Sequence, residues 1–231
     1  MIDIVFISPL GWSQHVWDKL VTDERFRHKS YKVIEFLNTS FEDISVASIE
    51  ESLADSLRNL APDGLVIAAS YGTAVLTAFL KKHRVSLNRL IVIDGLDRLP
   101  SAEELVAMFV SVEDKSYRTV EDYYEDMLSA DEQDDGELLA ILAANLRLQD
   151  GVYFPSLDIK NTKTYLSLYG NLDVAKEFAS VLGKLKNVVV FSSRSVPFSY
   201  VSISEEDHLL MLTDPQQVLE KIFEVLEGTA K

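Results

Sequence analysis

The stretch IAASYGTAV, residues 67–75, decides how the rest of the chain is read. It ends a continuous apolar run, residues 65–69, of the kind a strand covered on both faces carries. It then continues into Val75, Leu76, Phe79 and Leu80, whose spacing is that of one helix face. Ser70 stands between the two, with Ala68 two residues before it and Gly72 two residues after. A strand that turns sharply into a helix and holds a side chain up at the turn needs almost no side chain at those two positions. The usual form is G-x-S-x-G, and Ala68 departs from it by one methyl group. The pattern arises by chance in about one chain in six of this length at ordinary composition, and serine is also a favoured helix N-cap. Ser70 is therefore either a displayed nucleophile or a cap, and its possible partners decide which.

Around this stretch, β-like and helix-like runs alternate. Residues 2–8 are short, β-branched and aromatic, and Pro9 and Gly11 break them before Val16, Trp17, Leu20 and Val21 recur at helical spacing. Residues 31–37 read as a second strand, and SIEE at 48–51 resembles a capping box ahead of Ile49, Leu53, Leu57 and Leu60. Residues 90–93 supply a further apolar strand that ends in Asp94 and Gly95. From SAEE at 101–104 to Asp150 the periodicity reads as helical throughout, over 105–112, 120–128 and 138–148. Alternation resumes with a strand at 165–169, a helix from about 174 to 182, and strands at 188–191 and 200–203. Asp214, Pro215 and Gly228 then bracket a last amphipathic helix in the positions of N-cap, first residue and C-terminal stop. Repeated βα units predict an α/β fold with a doubly wound, mostly parallel sheet. The expected division is a core of residues 1–96 and 156–231 with an inserted acidic helical cap, residues 97–155.

Composition narrows the function. The 231 residues are 47% hydrophobic and 26% charged, and a chain of this length can bury one substantial core. The formal net charge of −15 argues against nucleic acid or an anionic membrane as a partner. Between Asp97 and Asp150 there are 15 acids and four bases, so most of the excess falls in the predicted cap. Such a surface leaves a basic protein partner open, although a solvated acidic face is the commoner role. The absence of cysteine excludes disulfides, thiolate metal sites and cysteine nucleophiles. The opening MIDIVFISPLGW lacks the basic start of a secretion signal and reads as a strand, so a cytoplasmic location is expected.

A serine hydroxyl needs a base, and the base an orienting acid. Of His15, His28, His83 and His208, only His208, in SISEEDHLLML, lies in a loop that the carboxyl edge of the sheet could bring over Ser70. The first candidate for the acid is Asp173 in YLSLYGNLD, read as lying just beyond a strand at the same edge. Asp94, at the end of the neighbouring strand, is the alternative acid. Ser70, Asp173 and His208 follow the order Ser…Asp…His of an α/β-hydrolase.

Four stretches, in order and over nearly the whole chain, make it resemble a small capped serine hydrolase of the α/β-hydrolase superfamily, carboxylesterase-like. ISPLGWSQHVWDKL is similar to the first strand and oxyanion loop, IAASYGTA to the nucleophile elbow, YLSLYGNLD to the acid strand, and DHLLMLTDPQQVLEKI to the histidine loop and closing helix. The resemblance implies Ser70 as nucleophile, His208 as general base and then acid, and Asp173 as the orienting carboxylate. It also implies an oxyanion hole from the backbone N–H groups of Trp12 and Tyr71, with no metal and no cofactor. The chain departs from the family at Leu10, where histidine is usual, at LNTSFEDIS, where a glycine-rich turn is usual, and at Asp207, where glycine is commoner. The expected reaction is hydrolysis of a small ester. The alternatives are a thioester or carrier-linked methyl ester, or a hydrolase-like protein that binds a ligand or partner without turnover.

Overall fold

A computed structural model describes residues 1–83, 85–129 and 132–228, apart from the side chains of Glu132 and Glu206. In chain order the elements are β1 (Ile2–Leu10), α1 (Asp18–Val21), β2 (Tyr31–Phe36), α2 (Val46–Arg58), β3 (Leu60–Ala69), α3 (Tyr71–Lys82) and β4 (Leu90–Ile93). There follow α4 (Ala102–Met108), α5 (Val120–Met127), α6 (Gly136–Ala143), β5 (Leu146–Gln149) and β6 (Val152–Pro155). The chain closes with α7 (Ile159–Leu168), α8 (Val174–Val181), β7 (Val188–Ser192), β8 (Val201–Ser202), α9 (Leu210–Thr213) and α10 (Pro215–Glu227).

The main sheet has the order β2-β1-β3-β4-β7-β8, and each neighbouring pair runs parallel. Successive strand residues point to opposite faces, and the burial shows both faces covered. Val5, Ile7, Val66, Ala68, Val92 and Val190 pack against α2, α3 and α8 on one side. Ile4, Phe6, Ile67, Ala69, Ile91 and Phe191 pack against Trp17, α1, α9 and α10 on the other. Double coverage explains why these strands read as unbroken apolar runs. Trp17 is fully buried and donates its indole N–H to Ser8 Oγ at 3.0 Å, so it is a core residue.

The strand order reverses at β1 and β3, because β2 lies outside β1 while β4, β7 and β8 extend the other way. In open parallel sheets that reversal leaves a crevice above the carboxyl ends of the strands. Ser70 sits there, directly after β3.

Several sequence expectations change, among them that Leu60, read on a helix face with Leu57, opens β3. The segment 165–168 is helical, the end of α7, with Tyr169 as its C-cap, and the N-cap Asp158 accepts from the Asn161 N–H at 2.7 Å. Tyr-Leu-Ser-Leu-Tyr alternates like a strand, but Tyr165 is fully buried and donates its hydroxyl to the Leu37 carbonyl, a contact the local pattern does not encode. The helical reading of 138–148 stops at Ala143, and β5 pairs antiparallel with β6. The turn between them is Asp150-Gly151, both at positive φ (52° and 80°), which is the strongest short hairpin signal. The helix expected from Ser48 starts earlier, capped by Ser45, whose hydroxyl accepts from the Ser48 N–H. Ser101 and Glu104 do form a capping box at α4, and Asp214, Pro215 and Gly228 bound α10 as expected.

The packing at the start of α3 is close enough to test. A Cβ built on Gly72 would lie 2.4 Å from the carbonyl oxygen of Ile7 in β1, a backbone atom that cannot move aside alone. Gly72→Ala should therefore lower stability by about 2–4 kcal/mol. Gly183→Ala, at a position with nothing within 4 Å, should stay within about 0.5 kcal/mol. Urea midpoints of the two variants against the parent measure the difference.

Candidate functional site

Backbone register assembles most of the site. Ala69 pairs with Ile93 and Ile93 with Phe191, so the residues that follow β3, β4 and β7 lie side by side at one rim. The Ser70 N–H donates to the Ile93 carbonyl at 3.0 Å, and the Asp94 N–H donates to the Phe191 carbonyl at 2.9 Å. Ser70 has φ 51° and ψ −120°, and Asp94 has φ 52°. Positive φ at a residue with a Cβ costs on the order of 1–3 kcal/mol and persists only where the surroundings enforce it. Gly95, at φ 78°, follows, and a Cβ there would fall 2.1 Å from the Ser70 carbonyl oxygen.

Ser70 precedes α3, but its side chain makes no capping hydrogen bond. Its hydroxyl lies 2.8 Å from His208 Nε2 instead. His208, from the segment between β8 and α9, places Nδ1 2.7 Å from Asp94 Oδ2. A carboxylate can only accept, so Nδ1 carries the proton, and Nε2 is left to accept from the serine hydroxyl. Asp94 is 3% exposed. Burial pushes its carboxyl up, but the hydrogen bonds from His208 and Ser193 outweigh this and hold it below the ordinary carboxylate range. The Ser193 hydroxyl donates to Asp94 Oδ2 at 3.0 Å, and its N–H approaches Oδ1 at 3.4 Å.

Asp173 does not take the acid's place. It lies between α7 and α8 with no strand before it, and its carboxylate caps α8 by accepting from the Lys176 N–H at 3.1 Å. The structure joins Ser70, His208 and the alternative acid Asp94. Asp207 accepts from the Ser204 hydroxyl at 2.8 Å, so its carboxylate is engaged by its own loop.

The two residues predicted to offer backbone donors flank this crevice. Tyr71 heads α3, where a backbone N–H has no acceptor within the helix. The Trp12 N–H makes only a long contact, 3.4 Å, to the Pro9 carbonyl. The loop that carries Trp12 is held from both sides: the Gly11 N–H donates to the Phe36 carbonyl at 3.2 Å, and the buried Asn145 Oδ1 accepts from the Ser13 N–H at 2.8 Å. Asn145 follows α6, so the chain between α6 and β5 braces the loop after β1. No sequence signal singles it out, because its partner is 132 residues away.

Beside His208 opens a cleft of about 700 Å³. Trp12, Leu128, Leu138, Leu142 and Leu212 give it apolar walls, and Lys19 and Asp135 face it as an ion pair at 2.8 Å. Among the described residues no group of three or more His, Asp or Glu could hold a metal ion, and no helix is long and apolar enough to cross a membrane. A hydroxyl bonded to an imidazole whose other nitrogen is fixed by a carboxylate can give up its proton as it attacks an electrophilic carbon.

No protein-family model matches the chain, and no curated protein matches its sequence. Solved structures do match it. One is E-2-(acetamidomethylene)succinate hydrolase, at a TM-score of 0.66 and 14% identity, over 98% of this chain and 91% of that one. Another is an esterase of M. tuberculosis, at 0.68 and 17%, over 98% and 85%. A third is the thioesterase domain of the curacin biosynthetic pathway, at 0.61 and 12%, over 95% and 90%. At such identities the likeness is one of architecture: this chain has the α/β-hydrolase fold.

Proposed function

We propose that the protein is a serine hydrolase of carboxylesterase type, acting on a small, weakly polar ester, with Ser70 as nucleophile, His208 as base and Asp94 as the orienting acid. The observation that carries this reading is the continuous chain from Ser70 Oγ through the imidazole to Asp94, at 2.8 and 2.7 Å. Ser70 Oγ bonds to the carbonyl carbon while its proton passes to His208 Nε2. The tetrahedral oxyanion is met by the N–H groups of Trp12 and Tyr71. Collapse breaks the bond to the alcohol oxygen, which leaves with the proton from His208. Water then attacks the acyl-serine, giving one proton to His208, and collapse returns that proton to Ser70 as the acid departs. A thioester would follow the same path with sulfur leaving.

Treatment with a fluorophosphonate should label Ser70, and the label should vanish in Ser70→Ala and His208→Ala. An unlabelled but folded protein would instead indicate a binder without turnover. Given turnover of a nitrophenyl ester, Asp94→Asn should lower kcat/KM by about four orders of magnitude, because the amide leaves the imidazole in the wrong tautomer. Asp173→Asn should change it by less than about threefold, since asparagine also caps helices. A result with the two reversed would return the acid's role to Asp173.

Ser193 and Asn145 are positioning residues in this reading. Ser193→Ala should lower kcat by about tenfold with KM little changed, and Ser193→Thr, which keeps the hydroxyl, should recover most of the loss. Asn145→Ala should also act on kcat, by about ten- to a hundredfold, because it frees the loop carrying one oxyanion donor. Steady-state kinetics beside a folding check would show whether either loss is a loss of fold.

A further inference from the structure

We propose that the cleft beside His208 selects an ester whose longer arm ends in a neutral hydroxyl, read by the Lys19–Asp135 pair. The inference rests on the serine-hydrolase reading and names the substrate class for that site. The cleft has about 700 Å³, within the range of small-molecule sites. Its walls suit an aliphatic arm, but one part of its lining is charged. The Lys19 side chain is 12% exposed, and Nζ donates to Asp135 Oδ2 at 2.8 Å and to the Leu212 carbonyl at 3.3 Å. An ammonium has three donors, so one remains. Asp135 Oδ1 accepts from the N–H groups of Glu137 and Leu138 at 3.0 Å each, and Oδ2 accepts from Lys19. A carboxylate has about four acceptor sites, so one remains here too.

One donor and one acceptor side by side match a group that both accepts and donates. A terminal hydroxyl can accept from Lys19 and donate to Asp135. A terminal carboxylate could only accept, and it would stand against Asp135 in a protein of net charge −15. A terminal ammonium would stand against Lys19. A plain alkyl end would strip water from the pair and offer nothing in return, which is how a polar site rejects an apolar analogue.

The test compares kcat/KM for p-nitrophenyl esters of n-alkanoic acids with those of the ω-hydroxy and ω-carboxy acids of equal length. A second series, acetates of n-alkanols and of α,ω-diols, places the arm on the alcohol side. At one chain length, in at least one series, the hydroxy ester should exceed the plain ester by about tenfold or more. In Lys19→Met that ratio should fall to within about twofold of unity, and being a ratio within one protein it is insensitive to the folded fraction. Asp135→Asn keeps the cap on α6 and leaves Lys19 unpaired, so the ω-carboxy ester should gain about tenfold on the plain one. A purely structural tie between α1 and α6 would not produce that gain. Turnover of plain esters with no discrimination in either series, or discrimination that survives Lys19→Met, overturns this inference and leaves the hydrolase reading standing. No turnover with Ser70 unlabelled overturns both.

Discussion

The site depends on a carboxylate that is almost dry. Asp94 is 3% exposed, and an unpartnered charge so placed would cost several kcal/mol. The imidazole Nδ1–H and the Ser193 hydroxyl, at 2.7 and 3.0 Å on the same oxygen, are what keep it ionised. The dependence runs both ways. Asp94 is fixed by strand register, whereas His208 comes from a chain segment between a two-residue strand and a four-residue helix. The hydrogen bond to Asp94 therefore ties a short, irregular segment to the most regular part of the molecule. It also orients the ring so that Nε2 faces Ser70.

The same rim concentrates backbone strain. Ser70 and Asp94 both have positive φ, and each is the first residue after an apolar strand in the middle of the sheet. Parallel strands β3, β4 and β7, buried on both faces, supply the burial that offsets a few kcal/mol at these two turns. Glycine is required where the turns meet: Gly72 packs on the backbone of β1, and Gly95 on that of Ser70. The strain and the close packing have one cause, which is that three strand ends must present side chains toward a single point.

Much of this was legible in the sequence. Apolar runs bounded by breakers located β1, β2, β3, β4 and β7, and the Asp-Pro…Gly bracket located α10, because those signals are local. Ser70 and His208 were legible through their places in that alternation. The carboxylate beside His208 was less so. YLSLYGNLD imitates a strand followed by a carboxylate, but its first four residues close the helix that Asp158 caps, and Tyr165 is held by Leu37, 128 residues away. Asp94 had the better local setting, directly after an unmistakable strand, but choosing it needs the register between β3 and β4, which no single segment contains. Asp150-Gly151 is a different case, since the hairpin signal was present and helical periodicity on its N-terminal side obscured it.

Residues 97–155 contribute more than cover. Their small apolar cluster of Tyr117, Tyr123 and Leu142, joined by Trp12, is continuous with the loop after β1, and Asn145 grips that loop by its backbone. Lys19 reaches from α1 to Asp135, the cap of α6, and so makes a second tie, this one at the wall of the cleft. These ties differ in physical kind. The Asn145 bond is buried and neutral, so breaking it leaves an unsatisfied group, whereas the Lys19 pair borders a cavity and can exchange a partner for water or for a ligand at little cost. A buried tie suits a part that must stay in place, such as the loop that carries Trp12. A tie at a cavity wall suits a part that meets whatever enters. These residues thus divide between holding the loop after β1 and lining the cleft beside His208.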